Sequence, residues 1–324
     1  MKVIKPSKLL IGDTIGIIAP SLPVLPKFRK NYERGKKILT DMGFKIKEGK
    51  TIGLQRWWAA GTPKEQAEDI NNMFADKNIK AIMAHTGGHS AITVLEQIDY
   101  RLVKDNPKPF IGMSDITVFH LAFLAKCNLV GFHMDDVTFG LGWNWKKEEK
   151  HLEKFDRDVF INLLTQKNPL GEIKPLTKWE GWRSGKAEGQ LIGGNLHLIN
   201  WQLATPYFPS LVYFDGAILF WEDVGEHLYD IVRSVYELKY AGILKRISGM
   251  LVGKLSHLEK SEDKGIVEPS AKEMTLEIVK DYDFPILANM DFGHYTVNIP
   301  MPLGVRARFD GTNKNFSIIE SAVS

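Results

Sequence analysis

Ser114 is placed where a side chain could act as a nucleophile. Phe110, Ile111 and Met113 before it read as a short apolar strand, and Ile116, Phe119, Phe123 and Cys127 after it recur at helical spacing. A strand that turns directly into a helix through a small polar residue has the geometry of a nucleophile elbow. Ser114 Oγ would then stand exposed near the positive end of the helix. The alternative is that Ser114, Asp115 and Thr117 only cap the helix. A serine nucleophile also needs a base to take its proton and a third group to orient that base. Among nine histidines, His294 stands out because Asp291-Phe-Gly-His-Tyr-Thr296 is a polar loop after an apolar strand. His120 falls on the apolar side of its helix and reads as core. His227 reads as a solvated or capping side chain. His85 and His89 are four residues apart, but paired glycines break any helix between them, and no carboxylate or cysteine frames them as a metal pair. Glu222 follows the apolar run 217–221, which delivers it to a strand end as a candidate orienting acid. Equally, Glu222 and Asp223 could place negative charge at the start of the next helix.

The elements that must position these groups form two patterns. Residues 14–19, 79–84, 110–113 and 129–132 are short apolar runs, and amphipathic helical stretches separate them. That alternation predicts βαβ units and a parallel sheet, with ligands at the carboxyl ends of its strands. The Gly87-Gly88 turn, Ser114 and the stretch His133-Met-Asp-Asp136 all fall at such ends. No Gly-x-Gly-x-x-Gly loop follows the first strand, which disfavours a dinucleotide enzyme. A charged helix is expected over 26–42, another from Pro63, another over 92–98 and a long one over 146–166. The mixed charges of Lys146, Lys147, Glu148, Glu149 and Lys150 suit a solvated face. Residues 169–185, rich in Pro, Gly, Trp and charge, read as a connector. Its Trp179 and Trp182 either pack over an interdomain seam or line a substrate mouth. From Lys186 the pattern is mixed: a strand, a glycine turn and a helix capped by Asn195, then strands at 217–221, 247–252, 285–289, 305–309 and 316–320, with helices near 228–235 and 270–280. The expectation is an α/β protein. An N-terminal Rossmann-like parallel-sheet domain spans 1–168, and a smaller C-terminal α+β, barrel-like domain spans 186–324, with the site in the cleft.

Composition narrows the class. A chain of 324 residues with 44% hydrophobic and 25% charged residues suits a globular protein of two domains. The net charge of +3 with no long basic run gives no reason to expect a nucleic-acid partner. Cys127 is the single cysteine, so neither an internal disulfide nor a cysteine–zinc cluster is available. No apolar h-region opens the chain and no run of about 18 apolar residues occurs, so a cytoplasmic protein without a membrane partner is expected.

The ordered motifs Gly12-Asp-Thr-Ile-Gly-Ile-Ile-Ala-Pro-Ser21, Ala60-Gly-Thr62, Gly112-Met-Ser-Asp-Ile-Thr117, Gly189-Gln-Leu-Ile-Gly-Gly-Asn-Leu196, Leu219-Phe-Trp-Glu-Asp223, Phe292-Gly-His294 and Pro302-Leu-Gly304 resemble the LD-carboxypeptidase family of serine peptidases. That family includes murein tetrapeptide carboxypeptidases and microcin C immunity peptidases. The resemblance covers nearly the whole chain. It implies Ser114 as nucleophile, His294 as general base, Glu222 as its orienter, and the backbone N–H groups of Gly88 and Asp115 as the oxyanion hole. It implies no metal or organic cofactor, a small peptide or peptide-conjugate substrate, and a homodimer. The murein enzymes carry an arginine before the paired glycines and an aromatic after them, whereas this chain has Thr86 and His89, which become candidate substrate-binding residues with Trp179 and Trp182. His89-Ser90 leans toward the immunity peptidases and Glu222-Asp-Val-Gly-Glu-His227 toward the murein enzymes. The nucleophile–acid–histidine order is also that of α/β-hydrolases, but Ile116 stands where their elbow has its second glycine. A catalytically silent binding protein of the same form is the rival from another class.

Overall fold

Short apolar runs too buried to alternate, joined by amphipathic helices, build the first half of the chain. The computed structural model describes residues 2–143, 150–259 and 265–324. Strand β1 (Thr14–Ile18) leads to helix α1 (Arg29–Asp41) and strand β2 (Lys45–Glu48). Helix α2 (Pro63–Ala75) starts at a complete capping box, with Thr62 Oγ1 accepting from Glu65 N and the Glu65 side chain accepting from Thr62 N, and Pro63 takes the first turn. Strand β3 (Ile79–Ala84), helix α3 (Tyr100–Asp105), strand β4 (Phe110–Gly112), helix α4 (Thr117–Cys127) and strand β5 (Gly131–His133) follow. The stretch expected as an α-helix at 92–98 is instead a 3-10 run over Ala91–Gln97. Helix α5 (Lys150–Thr165) covers part of the expected long helix. Residues 144–149, with most of the mixed charge run, lie outside the described residues.

The second half begins inside the expected connector. Strands β6 (Gly171–Ile173) and β7 (Glu180–Arg183) come from residues 169–185. Then come β8 (Lys186–Asn195), α6 (Leu196–Gln202), β9 (Ile218–Val224), α7 (Leu228–Tyr240), β10 (Gly249–Ser256), α8 (Ala271–Ile278), β11 (Ile286–Ala288), β12 (Met301–Leu303), β13 (Arg306–Asp310) and β14 (Asn315–Ile318). The chain is a mixed α/β protein with a parallel-sheet first half and a second sheet.

The first sheet has six strands in the order β12-β5-β4-β3-β1-β2. Its five N-terminal strands pair in parallel, while β12 joins β5 antiparallel at the edge, Met301 opposite His133 and Leu303 opposite Gly131. The second sheet has eight strands in the order β6-β14-β13-β8-β9-β10-β11-β7. The segment read as a connector therefore supplies both of its edges. The β13–β14 turn lies against β7, since a Cβ at Gly181 would stand 2.0 Å from Gly311 O and one at Gly311 2.5 Å from Arg183 O. Gly193 is a strand residue, not a turn residue: a Cβ there would lie 1.7 Å from Phe220 O, so β8 and β9 can approach only with glycine at that point. The core is continuous between the two halves, running from Ile15 and Leu39 through Phe132 to Phe220, Leu251 and Phe309.

Candidate active site

The site is built on the strain at one residue. Ser114 follows β4 and has φ 62°, a left-handed conformation that non-glycine residues rarely adopt. Residues 114–116 make a 3-10 turn into α4. The N-cap positions of this turn and of α4 are Met113 and Ile116, so Ser114 is not an N-cap. Asp115 and Thr117 do not cap α4 either. The buried Asp115 Oδ2 accepts from Ser21 Oγ at 2.5 Å and from Ser90 N and Ala91 N at 2.9 Å each. Thr117 Oγ1 accepts from Asn195 N at 3.0 Å. Asp115 thus ties together the ends of β1, β3 and β4, while Thr117 ties α4 to β8. The close fit of the β3 turn shows at Gly87, where a Cβ would stand 2.8 Å from Ser114 Cβ and 3.1 Å from Asp115 N.

Residues from both halves line one cavity of about 270 Å³: Thr86, Gly87, Gly88 and His89 beside Ser114 and Asp136, with His294 opposite. His294 Nδ1 lies 2.7 Å from Glu222 Oε2, and the carboxylate is fully buried. A carboxylate accepts, so Nδ1 carries the proton and Nε2 is left with a lone pair. Among the described residues Glu222 Oε1 has no partner. Burial disfavours an imidazolium at His294, but the charge and hydrogen bond of Glu222, with the fields of Asp223 and Asp136, outweigh it and hold its pKa above the ordinary 6.5. Asp136 caps the turn Val137–Leu141 through Phe139 N and Gly140 N and also bonds Thr86, yet burial still raises its pKa.

Asn298 and β12 carry the His294 loop to the first half. Asn298 Nδ2 donates to Asp135 Oδ1 at 3.1 Å, and β12 pairs with β5 just downstream. Within the loop, Asn298 Oδ1 accepts from Gly293 N.

The pattern of the LD-carboxypeptidase N-terminal domain matches residues 15–134, and that of the C-terminal domain matches 188–309. The chain belongs to the LD-carboxypeptidase family. Within it, a probable murein peptide carboxypeptidase of Bacillus subtilis is 31% identical, over 99% of this chain and 95% of that protein. The microcin C7 self-immunity protein MccF of Escherichia coli is 29% identical over 98% and 96% of the two chains. A solved structure of MccF in complex with aspartyl sulfamoyl adenosine superposes with a TM-score of 0.89 at 27% identity, covering 99% of this chain and 100% of that one.

The structure of this LD-carboxypeptidase family member brings Ser114, Thr86, Gly88, His89 and His294 to the cavity and Glu222 directly behind His294. It does not bring the two tryptophans there. Trp179 is buried and donates Nε1–H to Asp291 Oδ2 at 2.8 Å, and the half-buried Trp182 donates to Glu180. Both are held by partners within the second half, Asp291 and Glu180, away from the cavity. Asp136, Phe139, Trp143, Tyr295 and Leu22 also line the cavity. Of these, Asp136 at a strand end and Tyr295 in the polar loop of His294 lay in stretches with a legible signal. His85 is not a metal ligand: its Nε2 and Nδ1 are engaged with Leu22 O at 2.7 Å and Thr138 Oγ1 at 3.0 Å. Among the described residues, His197, Asp223 and Glu226 place ligand-type atoms within 4.8 Å of one another. Asp223 is committed there to Asn195 Nδ2, His197 N and His197 Nδ1, which makes the group an ion-pair cluster first. No helix among the described residues is long and apolar enough to cross a membrane.

Proposed function

We propose that this protein is a serine carboxypeptidase that hydrolyses the L,D-bond before the C-terminal residue of a murein tetrapeptide, with Ser114, His294 and Glu222 as its triad. The observation that carries this reading is the strained Ser114 in the same cavity as a histidine whose Nδ1 is bonded to a buried glutamate. Ser114 Oγ attacks the scissile carbonyl while His294 Nε2 takes its proton. Glu222 keeps the imidazole in the productive tautomer and stabilises the imidazolium as it forms. The N–H groups of Gly88 and Asp115 stabilise the oxyanion of the tetrahedral intermediate. His294 then protonates the leaving amine, and water, activated by the same imidazole, hydrolyses the acyl-enzyme. The donors are protein groups, so the reading needs no metal, and the protein would act in the cytoplasm on peptides recovered from the wall, as a homodimer.

The likeness to MccF supports a second reading, hydrolysis of a peptide or aminoacyl-nucleotide conjugate by the same triad. Incubation of the protein with a murein tetrapeptide and with an aminoacyl sulfamoyl nucleoside, followed by mass spectrometry, separates the two. Release of the C-terminal residue from the tetrapeptide is expected. Cleavage of the nucleoside conjugate alone would move the assignment to the second reading. A fluorophosphonate probe should label Ser114, and a folded protein that resists labelling and cleaves neither compound would be a binding protein.

A further inference from the structure

Trp57 and Trp58 form an exposed aromatic pair that the site described above does not use. They keep 67% and 59% of their surface accessible. Large aromatic side chains are normally well buried, so two adjacent exposed ones need a reason. Their backbone adds to it: Trp57 has φ 55°, a strained value for a bulky residue, held at the tip of a short loop by the reciprocal pairing of Arg56 with Ala59. The rings lie 5.8 Å apart, tilted by 32°, and the Arg56 guanidinium stacks 3.7 Å from the Trp57 ring centre. One face is thereby braced and the pair is presented as a rigid ledge with guanidinium N–H donors at its edge.

The ledge stands beside the cavity. Ala60 N donates to Ser21 O at 2.8 Å, and the next residue, Leu22, lines the cavity. Leu22 follows β1, so the cavity wall and the foot of the ledge meet at the β1 end of the sheet. Strands lie about 4.8 Å apart and β1 is two strands from β4, which puts the foot of the ledge about 10 Å from Ser114. The acyl part of a tetrapeptide is three residues, about 10 Å of extended chain. When the peptide extends across the β1 end, the group joined to its N-terminus therefore reaches the ledge.

We propose that Trp57, Trp58 and Arg56 form a saccharide subsite that stacks the amino sugar of a muramoyl peptide while the peptide end occupies the cavity. This rests on the murein reading of the function. The C–H face of a pyranose packs on Trp58, and the Arg56 donors meet its hydroxyl or acetamido oxygens. The subsite makes the protein prefer sugar-bearing tetrapeptides to free ones.

The test is kcat/KM for a muramoyl tetrapeptide and for the same free tetrapeptide, measured for the wild type, Trp58→Ala, Trp57→Ala and Trp58→Phe. The ratio of muramoyl to free should fall about tenfold in the two alanine variants, mainly through KM, and Trp58→Phe should restore most of it. A ratio that stays at the wild-type value overturns the proposal. So does an equal loss on both peptides together with conversion of a dimer to a monomer in light scattering, which assigns the ledge to an interface between copies. Calorimetric binding of the two peptides to Ser114→Ala reads the same preference without turnover. If the wild type cleaves neither peptide, the murein reading fails, and the binding ratio still decides whether the ledge takes the sugar.

Discussion

At the scale of single residues, the proposed mechanism rests on a strained serine and a buried acid. Ser114→Ala removes the nucleophile and keeps the Cβ, so a folded protein without turnover is expected. Ser114→Gly should be equally inactive and also more stable by up to about 1 kcal/mol in urea denaturation, because glycine adopts the left-handed conformation without the cost a Cβ carries. A glycine variant no more stable than the alanine one would show that the turn is not strained. Glu222→Gln keeps the shape and removes the charge behind His294. kcat should drop by about 10⁴, as for a comparable change in another triad, with little change in KM. A raised KM at constant kcat would instead make Glu222 a substrate ligand. The free base at His294 sets the acid limb of the pH–rate profile. Its pKa is raised above 6.5, so activity should rise with pH through a midpoint above 6.5 and disappear as the imidazole is protonated below it. A midpoint below 6.5 would contradict the pairing with Glu222.

At the scale of elements, the Asp291 carboxylate decides how the expected connector docks. It is fully buried and accepts from Leu176 N, Thr177 N, Thr177 Oγ1 and Trp179 Nε1. Asp291→Ala leaves those buried donors without their acceptor and the nearby Lys254 ammonium without its counter-charge, and about 3 kcal/mol or more of stability should be lost, read as a lower urea midpoint. A cost under about 1 kcal/mol would mean that the segment is held by its aromatic packing alone. The sequence reading of 169–185 saw aromatics and turn residues but not their partner, because Asp291 lies more than a hundred residues away. The same limit hid β12. Three residues with a proline in the middle carry no strand pattern, and Pro302 is tolerated there because an edge strand needs no N–H on its outer side. The elbow was legible because strand, turn and helix are contiguous and local.

At the scale of the whole molecule, the histidines set the pH range of stability. His85, His120 and His133 are buried, with burial pulling His85 down to about 4, His120 to about 3 and His133 well below 6.5. Unfolded histidine binds a proton near 6.5, so below that pH the unfolded chain takes up protons that these three refuse. Each removes up to about 1.4 kcal/mol per pH unit as pH falls. Asp115 and Asp136, raised by burial, have the opposite sign and soften the loss as pH falls through their own folded pKa values. His197 and His294 have raised pKa values, so the stability they add is present below 6.5 and is lost as pH rises through their folded values. Urea midpoints should therefore peak near pH 6.5 and fall on both sides, more steeply toward acid. A midpoint that climbs steadily from pH 4.5 to 6.5 and stays flat above would remove the His197 and His294 contribution from the account.

The sequence by itself determined what is local: the parallel βαβ half, the turn that exposes Ser114, and the apolar strand that delivers Glu222. Periodicity and turn chemistry act over a few residues, and so they can be read from a few residues. Only the tertiary structure decided that His294 and Ser114 line one cavity. That depends on Asn298 bonding Asp135 and on β12 returning to pair with β5, contacts between segments more than 150 residues apart. Whether Trp179 was core or substrate mouth, and which aromatics stayed in solvent, was settled in the same way, because burial is a property of the packed chain and not of the residue type.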